Sequence, residues 1–363
     1  MRNTVDKLVK FSTKSLRNDT LARAYLDYWY HFNKRDGRYN LDYTLDEKEA
    51  MVNKALRDEI IKRANLGVAA EDPVEEWFFY PNVAAAAFAV VGSLIDMILP
   101  DSILESIGMY ADVSVIGWDE SASFDIAPRD LFVVSRGTLG KREAEVKKQY
   151  NGQVTIIPEI HAITVGVSLY RVLCGKESLA AFTTKAIKSI ETQMSVDVYQ
   201  SMASAMAALP ATATTGLRIA GYTQAGLVRL AEQVTAWNGG AKAVLLGTAV
   251  GLLNVLPNDA NYRYDLESKY VSVGSIPTIS GIDIMRLQQV ADIYTPWGRV
   301  LSDTVLWLVS PAVNKIVKLV LGGNTLANTT STFEKADLRQ TTTLWKSWNV
   351  GIATNATAGT IVL

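Results

Sequence analysis

Two histidines and one cysteine in 363 residues leave little with which to build a metal centre. Neither His31 nor His161 sits in an HxxxH or HExxH arrangement, so the usual zinc spacings are missing. Cys174 alone excludes an internal disulfide framework, and it reads as a small apolar filler at a strand end. No G-x-S-x-G elbow frames a serine nucleophile. The glycine pairs Gly239-Gly240 and Gly322-Gly323 fit neither G-x-G-x-x-G nor the P-loop pattern and read as turns. Asp119, Glu120 and Asp125 lie close in sequence, but without further context they read as solvated loop carboxylates. No catalytic residue, cofactor site or metal site is expected.

Net charge is also missing. Lys+Arg 36 against Asp+Glu 37 gives a formal charge of −1, which removes any global electrostatic case for wrapping nucleic acid. The first segment, MRNTVDKLVKFSTKSLRND, is charged throughout and has no apolar core of a secretory signal. The one membrane-like run, Val83 to Leu99, is interrupted by Gly92, Ser93 and Asp96 and reads as a buried helix.

What is present is an unequal distribution. Residues 1–66 carry 14 basic and 10 acidic side chains, a net of +4, while residues 67–130 carry Arg129 against 12 acids, a net of −11. A solvated acidic face explains this, and so does a basic arm lying on the acidic region of another subunit. The 48% hydrophobic content suits either a large core or subunit interfaces that hide apolar surface.

Along the chain, the apolar spacing of Leu8, Phe11, Leu16, Leu21, Ala24 and Tyr25 predicts helix. The aromatics Tyr28, Trp29, Tyr30, His31 and Phe32 follow, closed by an Asp36-Gly37 turn, and favour packing over base stacking. A second helix is expected from Asp46 to Leu66. The 83–99 helix is expected to stop at Pro100, with a short helix from Asp101 to Met109.

From Asp112 the period changes to two. Val113, Val115, Phe124 and Ile126 lead to a polar tip, SRGTLGKREAEVKKQYN, with Arg136, Lys141, Arg142, Lys147 and Lys148. The return runs through Val154, Ile156, Ile163, Val165, Val167 and Leu169, with a slip near Pro158 that suggests a bulge or an edge position. The segment reads as one long two-stranded arm, which in isolation would be marginal. Next comes the clearest helix, Ser178 to Leu209, capped by Ser178 and ended by Pro210. Short helices and strands alternate from 211 to 330, including strands at Tyr270–Ser275, Asp283–Leu287 and Thr304–Val309. Residues 333–363 read as Thr- and Trp-rich strands.

This order of parts resembles the major capsid protein of tailed bacteriophages, the Hong Kong 97-like fold. The text FDIAPRDLFVVSRGTLGKREAEVKKQYNGQVTIIPEIHAITVGVSLYRVL looks like that family's E-loop and return strand. AAFTTKAIKSIETQMSVDVYQSMASAMAAL looks like its spine helix, and KAVLLGTAVGLLNVLP, KYVSVGSIPTISGIDIMRL and WLVSPAVNKIVKLV look like A-domain segments.

The resemblance implies an α+β chain in four parts: an N-terminal arm or helical subdomain at 1–111, an E-loop at 112–169, a P-domain at 170–212 with 331–363, and an A-domain at 213–330. It also implies a structural role, self-assembly through hexamers and pentamers into an icosahedral shell around DNA in the virion. Assembly would take place in the host bacterial cytoplasm. The loop-tip cations Arg136, Lys141, Arg142, Lys147 and Lys148 become subunit-contact candidates. Partners implied are a scaffolding protein, a portal and decoration proteins, with weak nonspecific DNA contact and no membrane. Because the sequence begins at Met1, a separate scaffolding protein is expected in place of a removed segment. Some relatives cross-link a loop lysine to a P-domain asparagine; Lys141, Lys147 or Lys148 with Asn349 or Asn355 fill those roles only by analogy. An encapsulin-like nanocompartment shell and a membrane-associated α/β enzyme are the alternatives.

Overall fold

The computed structural model describes residues 19–34, 37–64, 81–108, 111–126, 152–167, 177–211, 216–255, 278–279, 281–292, 294–311, 315–329, 340–353 and 356–363. Cys174, the Tyr270–Ser275 strand, Leu8, Phe11 and Leu16 lie outside them.

Three helices come first: α1 (Asp19–Phe32), α2 (Leu45–Ala64) and α3 (Pro81–Ser106). In α1 the aromatic spacing places Tyr25, Tyr28 and Trp29 on one stripe, and all three are buried in the main core. Burial pushes the Tyr28 phenol up to about 12, with the Glu49 carboxylate adding to it. A raised phenol favours the folded state up to the unfolded value near 10 and loses that preference above it. Stability is therefore expected to fall as pH rises from about 10 to 12, and Tyr28→Phe should flatten that fall in urea titrations.

The α2 entry is a capping box: Thr44 N–H donates to Glu47 Oε2 at 2.9 Å, and Glu47 N–H reaches Thr44 Oγ1 at 3.4 Å. Asp46 and Glu47 in its first turn and Lys62 and Arg63 in its last complement the helix dipole. Helix α3 corrects the expected break at Pro100, since it continues to Ser106 with the proline inside it. Leu99 and Ile103, on either side, are both buried in the same core. That packing outweighs the roughly 3 kcal/mol that an interior proline costs a helix.

Residues 19–106 supply much of the chain's own core, and the described Lys48–Asp27 and Arg63–Glu59 pairs are internal.

The first sheet has the order β1-β10-β11-β4, with β1 (Ala111–Ile116), β4 (Glu159–Val167), β10 (Val317–Thr329) and β11 (Gln340–Ile352). β1 runs parallel to β10, and the other pairs are antiparallel. This changes the reading of the long arm. β1 and β4 were expected to face one another along it, but they form opposite edges of this sheet. Among the described residues the paired ribbon is β2 (Ala122–Ile126) with β3 (Gly152–Ile156), from Ala122↔Ile156 to Ile126↔Gly152. Alternation alone cannot say which strand is the partner, and β10 and β11 are distant in sequence. The slip near Pro158 is the β3–β4 junction, and β4 is an edge strand as expected.

The Gly322-Gly323 pair is likewise not a turn. It forms a bulge within β10, where register with β11 shifts between Gly322 and Leu326. Gly323 has φ +57, and a β-carbon there would enter the Trp118 indole.

Helix α4 (Leu179–Ala207) is the long rod expected from the sequence. Ser178 Oγ accepts from Ala181 N–H at 3.1 Å, and Asn53 Oδ1, from α2, accepts from Ala180 N–H at 3.0 Å. Two otherwise unpaired donors of the first turn are thereby satisfied, one locally and one by the N-terminal helices. We expect Ser178→Ala to lower stability by about 1 kcal/mol in chemical denaturation. Asn53→Ala should do the same if the α2 clamp matters.

The second sheet has the order β5-β12-β9-β6-β8-β7, comprising β5 (Arg218–Ala220), β6 (Val244–Gly247), β7 (Thr278–Ile279), β8 (Ile282–Arg286), β9 (Val305–Val309) and β12 (Gly359–Val362). Helices α5 (Gln224–Trp237) and α6 (Ala249–Leu253) belong to this lobe, capped by Thr223 and Thr248. The sheets do not follow linear segment limits. Residues 317–329 sit in the first sheet, and the C-terminal 359–362 returns to the second.

Candidate assembly surfaces

The four-stranded sheet has two unlike faces. Leu319, Leu321, Leu344 and Trp348 point to the main core, where α3 and α4 pack. Val320, between Leu319 and Leu321, points the other way and forms a separate cluster with Ala122 and Ile156 at the ribbon's foot. The ribbon therefore stands on the face opposite the helices. Close approach fixes it there: Ile156 lies where a side chain on Gly351 would go, and Pro158 sits 3.0 Å from the corresponding point on Gly322. Lys318 pairs with Asp112 at 3.1 Å and lies 5.5 Å from the Phe124 ring centroid. Phe124 and Val154 on one face of the ribbon are half-buried against this cluster, whereas Ser123, Asp125, Gln153 and Thr155 on the other face are exposed. Ile157 and Ile160 beside it are 67% and 66% exposed, an unusual state for two isoleucines so near each other.

The tip residues Arg136, Lys141, Arg142, Lys147 and Lys148 lie outside the described residues, as does Asn355. Asn349 is described, and its amide donates to Ile157 C=O at 2.8 Å, with Glu159 Oε1 at 3.5 Å. His161 stacks on Trp348 with centroids 3.6 Å apart, and Asp197 accepts from Trp348 Nε1 at 2.8 Å. A packed strand histidine is what the sequence suggested. His31 stacks on Tyr39 in the same manner, 4.4 Å apart. Glu120 accepts from Gly117 N–H at 2.7 Å, a local turn role. Among the described residues no group of three or more His, Cys, Asp and Glu side chains could hold a metal ion.

Asp96 gains a role that the sequence did not disclose. It lies in the apolar helix α3 yet accepts from Thr325 N–H at 2.8 Å, Thr325 Oγ1–H at 2.6 Å and Lys346 Nζ at 2.7 Å. Lys346 also donates to Gly323 C=O at 2.7 Å. Helix α3 is long and apolar enough to cross a membrane by length and composition, but most of it is buried within the protein. The carboxylate locks that helix onto the β10 bulge, behind the sheet that carries the ribbon. The large exposed aromatics Tyr294 and Trp297 were also missed, because a lone Trp before Gly carries no periodic signal.

No family model matches the chain, and no curated protein matches it. Solved structures similar to it include capsids and a virus-like particle. The capsid of a native GTA particle is 10% identical at a TM-score of 0.48, covering 71% of this chain and 89% of that one. The mature capsid of bacteriophage PhiM1 is 10% identical at 0.44, covering 70% and 86%. A virus-like particle from Pyrococcus furiosus is 10% identical at 0.43, covering 72% and 95%.

Proposed function

We propose that this chain is a major capsid protein that assembles, many copies together, into a closed icosahedral shell around phage DNA. One observation carries the reading: a two-stranded ribbon stands on the face of the sheet away from the helices, packed there by Ala122, Phe124, Val154 and Ile156, with its other face exposed among the described residues. Two strands in water are marginal, so a ribbon with one open face is best explained by a neighbouring copy on which it lies. Residues 127–151, which join its strands, carry the five basic candidates Arg136, Lys141, Arg142, Lys147 and Lys148 as contacts to that neighbour.

The rest fits this role. Helix α4 is a rod of roughly 43 Å at ~1.5 Å per residue, a stiff spine between the two sheets. The second sheet with α5 and α6 would form the lobe that gathers around the fivefold and sixfold axes. Approximate parts are 1–111, 112–169, 170–212 with 331–363, and 213–330, with β10 added to the spine's sheet and β12 to the lobe. Repeated weak contacts multiply, because a copy held at several places must release all of them together. A charge of −1 suits an inner wall that holds DNA weakly. A separate scaffolding protein, a portal and decoration proteins would be the partners, with assembly in the bacterial cytoplasm.

Electron microscopy of the purified protein, expressed alone and with a candidate scaffolding protein, tests this. Rings or closed shells support it, and only small monodisperse particles under both conditions overturn it.

A further inference from the structure

Between Val290 and Val300 the chain forms a short hairpin on the second lobe. Ala291 and Arg299 pair across it, Val300 N–H donates to Val290 C=O at 3.1 Å, and Asp292 N–H donates to Gly298 C=O at 3.0 Å. At the tip Gly298 N–H donates to Thr295 C=O at 2.9 Å, and Asp292 Oδ1 accepts from Tyr294 N–H at 3.0 Å. Hydrogen bonds from Thr295 and Tyr294 hold the Asp292 carboxyl below its ordinary range, so it is an anion at neutral pH. The foot is braced by Arg299–Asp303 at 2.9 Å, and Asp303 in turn accepts from Thr248 Oγ1 at 2.7 Å.

This hydrogen-bonded frame presents Trp297 at 101% exposure and Tyr294 at 82%. Trp297 also has φ +61, a backbone region disfavoured for a bulky side chain. Among the described residues nothing covers the indole. An exposed aromatic on a hydrogen-bonded turn offers a large apolar surface whose backbone is already ordered, which is the character of an interface anchor.

A groove of about 280 Å³ lies where the C-terminal half of α4 meets β5, β9 and β12. Met206, Leu301 and Trp307 give it a buried apolar lining, and Ala203 and Arg218 stand exposed at its edge. Arg218 supplies a cation where the hairpin supplies an anion and an electron-rich ring. The hairpin's own indole, being fully exposed, leaves the groove at its foot unused.

We propose that Trp297 of one copy docks into this groove of a second copy, with Asp292 of the first facing Arg218 of the second. Two different surfaces meet, so the contact is head-to-tail, the kind that forms a ring, as a capsomer requires, when its rotation closes. The inference rests on the shell reading and names the contact that would close its rings.

The test uses the full chain in a Cys174→Ser background, carrying Trp297→Cys, Ala203→Cys or both, with a short thiol-reactive cross-linker. The double variant should give a ladder of covalent oligomers on a denaturing gel, and neither single variant should. Trp297→Ala should leave the melting curve unchanged while weakening subunit association at least about 30-fold, the effect of losing a hot-spot residue. If the parent protein forms shells, but Trp297→Ala assembles normally and no ladder appears, the docking is wrong and the shell reading stands. Dimers from Trp297→Cys alone would overturn it in favour of a twofold contact. If the parent never assembles, the shell reading itself fails.

Discussion

Asp96→Ala should lower the free energy of unfolding by about 3–5 kcal/mol, the loss seen when one partner of a buried ion pair is removed. Asp96 and Lys346 are only 11% and 8% exposed at the side chain, so water cannot replace the missing partner. The alanine would strand Lys346 with Gly323 C=O alone and leave Thr325 N–H and Oγ1 without their acceptor. Against a total of 5–15 kcal/mol for a folded domain, this is a large fraction. Asp96→Asn should fall less, because its amide oxygen still accepts from Thr325. Adding Lys346→Met to Asp96→Asn should recover part of the loss, since the orphaned charge is gone. Urea titration of the four proteins reads the order directly. An Asp96→Ala midpoint equal to that of the parent would mean that the carboxylate does not hold α3 to the bulge.

Deleting Arg136 to Lys148 should leave the subunit's stability unchanged and abolish closed shells. Among the described residues, the ribbon's foot is held by Ala122, Ile156 and Val320. On the proposed role, the deletion removes the contact to a neighbour together with five basic and two acidic side chains. Assembly through many weak contacts is steep, so loss of one repeated contact is multiplied over the shell. Thermal melting checks the fold, and electron microscopy checks the shells. Normal shells from the deleted chain would take the loop out of its proposed role.

Local signals carried well into the structure. The Ser178 cap and the three-and-four spacing of α4 describe interactions within a few residues, and helix α4 starts within one residue of the expected position. Thr223 and the Gly239-Gly240 stop bracket α5 for the same reason, with φ +69 and +86 at the two glycines. Signals that depend on a distant partner did not carry. Pro100 reads as a stop, but the core around Leu99 and Ile103 keeps the helix going. Gly322-Gly323 reads as a turn, but β11 pairs on both sides of it and makes it a bulge. Alternation in β1 and β4 shows two strands, yet their partners are more than 150 residues away in the sequence.

The candidate surfaces divide the same way. The basic tip is named from composition, because a run of cations can be read without tertiary context, and it lies outside the described residues. Asp96 looked like an interruption in an apolar run, and only the approach of Thr325 and Lys346 gave it a purpose. Trp297 looked like any tryptophan until its turn was seen to hold it in solvent.

By itself the amino-acid order determined the α+β class, the long helix and the absence of familiar catalytic signatures. Each of these follows from short-range spacing and side-chain chemistry. Only the tertiary structure decided that the N-terminal helices belong to the core, that the ribbon stands on one face of the sheet, and that a buried carboxylate fastens helix to sheet. Those depend on which distant segments meet, and side-chain periodicity along a chain does not encode a partner's address.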